Sequence, residues 1–246
     1  MTPLPRLGSV PYRNVAPLIH GLEPEPRGLV PARLADALRA GEFDAALVPV
    51  AELLQRAEDY AVVDGAAVAA RGAVYSVILI PEGKKALGEI SRVALDPSSR
   101  TSVLLARVLL EIGHGRKVDY VLPDAPADAR LLIGDPAIAF RAAHPETPVL
   151  DLGELWHAWT GLPFVFAAWV VRRGAATPEL GRFLRETKEK GLAARDAIAR
   201  DAFEREYFTR YIRYDLGAEE KAGLLRFAEY LKELGVLSRV PEIHWI

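Results

Sequence analysis

Cysteine is absent from this chain of 246 residues. Its absence excludes disulfide bonds, thiolate zinc sites, iron–sulfur clusters and a cysteine nucleophile. The five histidines show no spacing typical of metal ligands, so we expect no metal site. The glycine-rich dinucleotide fingerprint, the phosphate-binding P-loop and the esterase nucleophile elbow are also missing. Those three reaction classes therefore have no support in the sequence.

Long apolar runs and an excess of charge of either sign are missing as well. The longest apolar stretch, residues 162–171, is about half as long as the ~20 residues that a membrane helix needs. The N-terminus lacks the basic start and apolar run of a secretion signal. Basic residues number 31 and acidic residues 33, so a net charge of −2 creates no field that favours polyanions. We expect a cytoplasmic protein that binds neither nucleic acid nor membranes.

The sequence does contain a regular alternation of short β-type runs and amphipathic helical segments. This pattern predicts an α/β fold, with parallel strands joined by crossover helices. Two strong predicted strands, residues 73–80 and 164–171, flank a separate α/β set. We therefore predict two lobes joined by two crossings of the chain. Residues 1–82 and 167–246 form the first lobe in this prediction, and residues 83–166 form the second.

The first candidate site segment, residues 8–18, follows the first predicted strand. Asn14 lies just before a short predicted helix, and its side chain could cap that helix. Ligands of open parallel sheets bind at the carboxyl ends of the strands, which is also where Asn14 lies. Helix capping and ligand binding are both open for Asn14.

Two further segments have the same layout of strand, small polar residues and helix. Residues 96–102 cluster hydroxyl and guanidinium groups at a helix start, where backbone N–H groups and partial positive charge favour a carboxylate. A plain serine or threonine cap, with Arg100 in solvent, explains this segment equally well. In the third segment Asp135 is a predicted N-cap, and Gly134 allows a ligand to approach closely.

Residues 8–14 read Gly-Ser-Val-Pro-Tyr-Arg-Asn, and Pro17-Leu18 follow closely. This segment resembles the N-terminal signature of the chorismate dehydratase family, often Gly-x-Val-x-Tyr-Leu-Asn with Pro-Leu close behind. Arg13 stands where an aliphatic residue is expected. Further matches follow in order along most of the chain: residues 44–49, 72–77, 98–102, 132–137 and 151–166.

The resemblance implies a two-lobed fold of the periplasmic-binding-protein type II class, with a ligand cleft between the lobes. It also implies removal of water from chorismate, a small carboxylate, without a cofactor. Asn14 and Ser76 are the catalytic residues that the resemblance implies. The implied substrate-binding residues are Tyr12, Ser99, Arg100, Thr101, Ser102, Gly134 and Asp135. None of these motifs contains a strong base, so the proton acceptor stays open, the substrate's own side-chain carboxylate included.

Two other functions are compatible with such a fold. A dihydroxynaphthoate synthase would share it, but the Ser-Pro-Cys-Pro-Asn-Asp type of opening motif of that family is missing here. A small-anion solute-binding protein would grip its ligand with similar helix ends. The dehydratase interpretation is preferred over both.

Overall fold

A computed structural model describes residues 4–83 and 85–246. The strands in this part of the chain are, in order, β1 (Leu7–Ser9), β2 (Arg27–Gly28), β3 (Ala45–Pro49), β4 (Tyr60–Ala70), β5 (Val77–Pro81), β6 (Arg92–Ala94), β7 (Asp119–Val121), β8 (Ala129–Ile133), β9 (Leu150–Asp151) and β10 (Phe164–Arg172). The α-helices are α1 (Ala16–Ile19), α2 (Pro31–Arg39), α3 (Val50–Gln55), α4 (Thr101–Arg107), α5 (Gly134–Ala143), α6 (Leu152–Thr160), α7 (Pro178–Ala193), α8 (Arg195–Ile198), α9 (Ala202–Glu206) and α10 (Ala218–Glu233). Single π-helical turns, Val108–Gly113 and Tyr207–Tyr211, extend α4 and α9.

The strands form two separate five-stranded sheets. The first has the order β2-β1-β3-β10-β4, and the second has the order β7-β6-β8-β5-β9. In the first sheet β1 runs parallel to β2 and β3, while β10 runs antiparallel to β3 and β4. In the second sheet β6 runs parallel to β7 and β8, and β5 runs antiparallel to β8 and β9. The predicted α/β class is confirmed, but the expectation of parallel strands holds only in part, because β5 and β10 run antiparallel to their neighbours.

The sheets differ from the predicted lobe boundaries at two points. Strand β5 belongs to the second sheet, although the boundary at residue 82 assigned it to the first lobe. Strand β10 begins at Phe164 and lies in the first sheet from its first residue. The apolar run at 73–80 predicts a longer strand than β5, but the backbone N–H groups of Val74 and Tyr75 donate to the Asp151 carboxylate at 3.0 and 2.7 Å. These bonds keep residues before Val77 out of the sheet. The division into two lobes stays a prediction.

The C-terminal region is helical, but its helices are shorter than the sequence pattern predicts. The sequence predicts one helix over about 178–207, whereas the chain forms α7, α8 and α9 there. Thr177 caps α7 by accepting a hydrogen bond from the Leu180 N–H at 3.1 Å. Asp201 caps α9 in the same way, accepting from the Glu204 N–H at 2.8 Å. A capping side chain begins a new helix, so Asp201 sets where α9 starts.

Apolar residues from both sheets and the surrounding helices form the core. Trp156 on α6 is fully buried, and its ring meets Phe164 and Phe227 edge-on at centroid distances of 5.2 and 6.1 Å. Trp156 therefore fills the core with its aromatic partners. None of the helices in the described ranges combines the length and the apolar character that crossing a membrane requires.

Candidate active site

A partly enclosed pocket lies between the two sheets, at the carboxyl ends of β1, β3 and β8. Its empty space, including the mouth, is about 570 Å³. The walls are mostly apolar, with Leu47 and Val68 from the first sheet and Val77 and Ile133 from the second. Seven of the nine predicted site residues line it: Tyr12, Asn14, Ser76, Ser99, Thr101, Ser102 and Gly134. Arg100 and Asp135 do not. An apolar pocket with a few converging polar groups is the usual form of a small-molecule site.

Asn14 lies in the short 3₁₀ turn Arg13–Val15 between β1 and α1. No side chain caps α1 at its N-cap residue, Val15, so Asn14 does not act as that cap. The Asn14 Oδ1 atom is buried, and no donor in the described part of the chain reaches it. A buried polar atom without a partner costs free energy unless a ligand supplies the missing hydrogen bond. The capping alternative is therefore removed, while the catalytic role stays a prediction.

Ser76 is the last residue before β5 and is almost fully buried. Its carbonyl oxygen accepts a hydrogen bond of 2.7 Å from the Gly134 N–H, which ties it to the start of α5. Its Oγ accepts a bond of 2.7 Å from the hydroxyl of Tyr207. Tyr75, directly before it, has a positive φ of 69°, a conformation that is strained for a tyrosine. Ser76 is therefore held on both sides by backbone constraints.

The hydroxyls of Ser99 and Thr101 are each engaged as acceptors. Ser99 Oγ accepts from the Ser102 N–H at 3.2 Å, which satisfies one free donor at the start of α4. Thr101 Oγ1 accepts from the Ala51 N–H at 3.1 Å, and this bond joins α4 to α3. A hydroxyl that accepts through its oxygen still has its own proton to donate. Both groups can therefore present a donor to an anionic ligand.

Tyr12 and Gly134 meet across the pocket. A Cβ atom added to Gly134 would lie 3.0 to 3.1 Å from the Tyr12 ring, and Gly134 has a φ of +64°. Both facts favour glycine at this position, because a side chain would be strained and would press on the ring. Burial raises the pKa of the Tyr12 phenol above its ordinary value. The phenol therefore stays protonated and can donate a hydrogen bond.

Arg100 does not point into the pocket, in contrast to the expectation that it binds substrate. Its guanidinium donates to Glu52 on α3 at 2.8 Å and to Asp36 on α2 at 2.7 Å. Glu52 is 1 % exposed, and a buried carboxylate needs a cationic partner. The guanidinium of Arg100 therefore binds to α2 and α3 and not to the pocket. A second bond ties the segment 96–102 to α2, because the Ser98 carbonyl accepts from the Ala32 N–H at 3.2 Å.

Asp135 also lies outside the pocket lining. Its Oδ1 accepts from the backbone N–H of Arg13 at 3.2 Å, so the carboxylate is turned toward the loop after β1. Asp135 thereby joins the start of α5 to the residue next to Asn14. Its place in the structure supports the loop that carries Asn14, and the expected direct contact with the substrate stays a prediction.

Arg13, which departs from the aliphatic residue of the family signature, has an ionic partner here. Its Nε and one terminal nitrogen each donate to the Glu204 carboxylate at 2.9 Å, and the latter also donates to the Ile198 carbonyl. Burial alone would raise the pKa of Glu204, but hydrogen bonds from Arg13 and Arg200 lower it to about 2. A charged pair in this chain replaces the expected apolar packing at the loop.

Charged side chains are missing from the pocket lining in the described ranges. Asp96 lies nearby, but its carboxylate accepts from the N–H and hydroxyl of Ser98 at 2.9 and 2.6 Å. Residues 4–83 and 85–246 also contain no cluster of three or more histidine, aspartate or glutamate side chains that could hold a metal ion. An anion in this pocket would be met by hydroxyl, phenol and amide donors.

Sequence reasoning missed Tyr207 and Phe166. Phe166 on β10 lines the pocket, and Tyr207 supports Ser76 from behind. Phe166 belongs to an apolar strand whose core-facing and pocket-facing residues look alike in sequence. Tyr207 is 131 residues from Ser76 in the chain and lies in no motif. Neither residue carries a local signal that identifies its role.

The two mixed sheets and the pocket between them define a fold of the periplasmic-binding-protein class. Solved structures share it at low sequence identity. A protein of Archaeoglobus fulgidus has a TM-score of 0.72 and 17% identity, covering 95% of this chain and 98% of its own. The periplasmic aliphatic sulphonate binding protein of Escherichia coli has a TM-score of 0.63 and 19% identity, covering 98% and 96%.

The chain belongs to the menaquinone biosynthesis family, whose model matches residues 5–233. A chorismate dehydratase of Thermus thermophilus is 36% identical to it, over 92% of this chain and 94% of that protein. The sequence resemblance to this family is thereby confirmed, and so is the expected fold class.

Proposed function

We propose that this chain removes water from chorismate to give 3-[(1-carboxyvinyl)oxy]benzoate, and so acts as a carbon–oxygen lyase in menaquinone biosynthesis. The observation that carries the proposal is the similarity to the Thermus thermophilus chorismate dehydratase along nearly the whole chain. The substrate is a small dicarboxylate, and the pocket's hydroxyl and phenol donors suit such a ligand. The cytoplasmic location expected from the sequence stays a prediction.

The reaction needs stabilisation of developing negative charge. The ring proton beside the enolpyruvyl ether leaves, and its electron pair spreads through the diene toward the ring carboxylate. The neighbouring hydroxyl then departs, and together with a proton it forms water as the ring becomes aromatic. Donors aimed at the developing charge lower this barrier, and each is typically worth about 10² to 10³ in turnover. Asn14 and Ser76, which line one pocket, are the residues to which we assign this role.

The proton acceptor is the remaining part of the mechanism. No carboxylate or imidazole lines the pocket in the described ranges. Asp96 and Asp135, the nearby acids, are engaged with Ser98 and with the Arg13 backbone. A carboxylate that arrives with the substrate is therefore the acceptor that fits this site. The enolpyruvyl carboxylate is tethered beside the departing proton, and such tethering gives a high effective concentration.

The test is incubation of the purified chain with chorismate. Conversion is followed by the ultraviolet absorbance of an aromatic product and by its mass, which is lower than that of chorismate by one water. We expect turnover without added metal or cofactor, and unchanged turnover in the presence of a chelator. Saturable binding of chorismate without conversion would instead indicate a solute-binding protein. If the chain neither binds nor converts chorismate, the proposal is overturned.

A further inference from the structure

The hydroxyl of Tyr207 is a buried group in contact with a proposed catalytic residue. Tyr207 is 1 % exposed and begins the π-helical turn that extends α9. Its oxygen lies 2.7 Å from Ser76 Oγ, and Ser76 is likewise 1 % exposed. π-Helical turns are rare and occur often at functional sites. This contact joins the C-terminal helices to the residue that precedes β5.

The direction of this hydrogen bond follows from the number of protons and acceptors. Each hydroxyl has one proton, and in the described part of the chain neither oxygen has another side-chain partner. If Ser76 donated to Tyr207, the phenol proton would be buried without an acceptor, which costs free energy. If Tyr207 donates, its proton is satisfied and the Ser76 proton is free to point into the pocket. Burial also raises the pKa of Tyr207 above its ordinary value, so the phenol keeps its proton.

Hydrogen bonds fix the backbone at Ser76, so only the orientation of its side-chain hydroxyl is left to be set. The Ser76 carbonyl is bound by the Gly134 N–H at 2.7 Å. The preceding Tyr75 N–H is bound by the buried Asp151 carboxylate at 2.7 Å. Rotation about the Ser76 side chain therefore decides whether its proton faces the substrate. A fixed donor on one side of the oxygen selects that rotation.

We infer that Tyr207 is a positioning residue that fixes Ser76 as a hydrogen-bond donor toward the substrate. The inference rests on the proposed function and deepens it. Ser76 then stabilises the developing negative charge as a hydrogen-bond donor, and the substrate's own carboxylate remains the base.

The test is a double-mutant cycle of Tyr207→Phe and Ser76→Ala with chorismate as the substrate. Tyr207→Phe should lower kcat about tenfold with KM changed less than about twofold, since one neutral hydrogen bond that orients a donor is lost. Ser76→Ala should lower kcat by about 10² to 10³. In the double variant kcat should equal that of Ser76→Ala within about twofold. A further tenfold loss there would show that Tyr207 does not act through Ser76 and would overturn the inference.

Stability gives a second readout that does not need activity. Tyr207→Phe should lower the urea midpoint of the wild-type chain, but it should leave unchanged or raise the midpoint of Ser76→Ala, where the phenol has lost its acceptor. Tyr214→Phe is the matched control, because Tyr214 is also buried and its hydroxyl has no partner in the described ranges. It should not lower kcat.

The two proposals fail in different ways. A wild-type chain that does not convert chorismate would overturn the proposed function. The Tyr207–Ser76 pair is then judged from the urea midpoints alone, and equal shifts in both backgrounds would overturn the pairing. A wild-type chain that is active, with equal kcat in Tyr207→Phe, would overturn the positioning role and leave the proposed function intact.

Discussion

Asn14 is the only asparagine among the 246 residues, so it can be removed or labelled without touching any other amide of its kind. In the structure it does not cap α1, and its Oδ1 is buried without a partner in the described ranges. Replacing it by alanine therefore breaks no recorded hydrogen bond. We expect the free energy of unfolding to change by less than about 0.5 kcal/mol, well below the ~1 kcal/mol that loss of a cap costs. For a chain of this size that is a shift of about 2 °C or less in Tm.

The effect of Asn14→Ala on turnover should be far larger. If the amide donates to charge that develops in the transition state, its loss should lower kcat by about 10² to 10³. That range corresponds to about 2.7 to 4 kcal/mol, because each tenfold change in rate is about 1.36 kcal/mol. Asn14→Asp should be at least as damaging, because a carboxylate in the same place would repel the negative charge of the substrate.

The assay combines chorismate turnover, thermal unfolding and one nuclear magnetic resonance measurement. Selective labelling of asparagine with nitrogen-15 produces a single side-chain amide pair, since Asn14 is unique. Saturation with the product should shift that pair in the wild-type chain. Turnover within a few-fold of wild type in Asn14→Ala, with a lowered Tm, would refute the catalytic assignment. An amide signal that does not respond to bound product would refute it independently.

Three further outcomes are expected at the edge of the site. Arg100→Gln should raise KM about five- to tenfold, because it loosens the segment that carries Thr101. The control, Arg39→Gln, removes a hydrogen bond to the same Glu52 and should lower Tm while leaving KM unchanged. Equal KM values in the two variants would contradict this expectation. Thr101→Val should raise KM about five- to tenfold, and an unchanged KM would show that its hydroxyl does not meet the substrate. Arg13→Leu should destabilise the chain by about 1 to 2 kcal/mol near neutral pH. Its partner, the Glu204 carboxylate, has a pKa lowered from 4.5 to about 2. The difference in urea midpoint between the wild-type chain and Arg13→Leu should therefore shrink as the pH falls from about 4.5 toward 2. A difference that stays constant over this range would refute the pairing of Arg13 with Glu204.

The α/β class and the segments that carry the site could be predicted from local sequence. Apolar periodicity and helix-start residues are recognised within a few residues of one another, and the alternation of strands and helices that they predict is present in the structure. The site segments could be located because ligands of open parallel sheets bind at the carboxyl ends of the strands, and polar residues follow the strands at these points. Asn14 and residues 99–102 were located in this way.

Tertiary structure alone decided which partners the polar groups have. A guanidinium next to hydroxyls has the same sequence pattern whether it meets a substrate carboxylate or a carboxylate of the protein. Arg100 meets Glu52 and Asp36, which are 48 and 64 residues away in the chain. The partner of Ser76 is farther still, and only folding brings Tyr207 to it. Local sequence thus determined where the donors lie along the chain. Long-range packing decided which of those donors are left free to face a ligand, because a hydrogen bond depends on distance in space and on the direction of one proton.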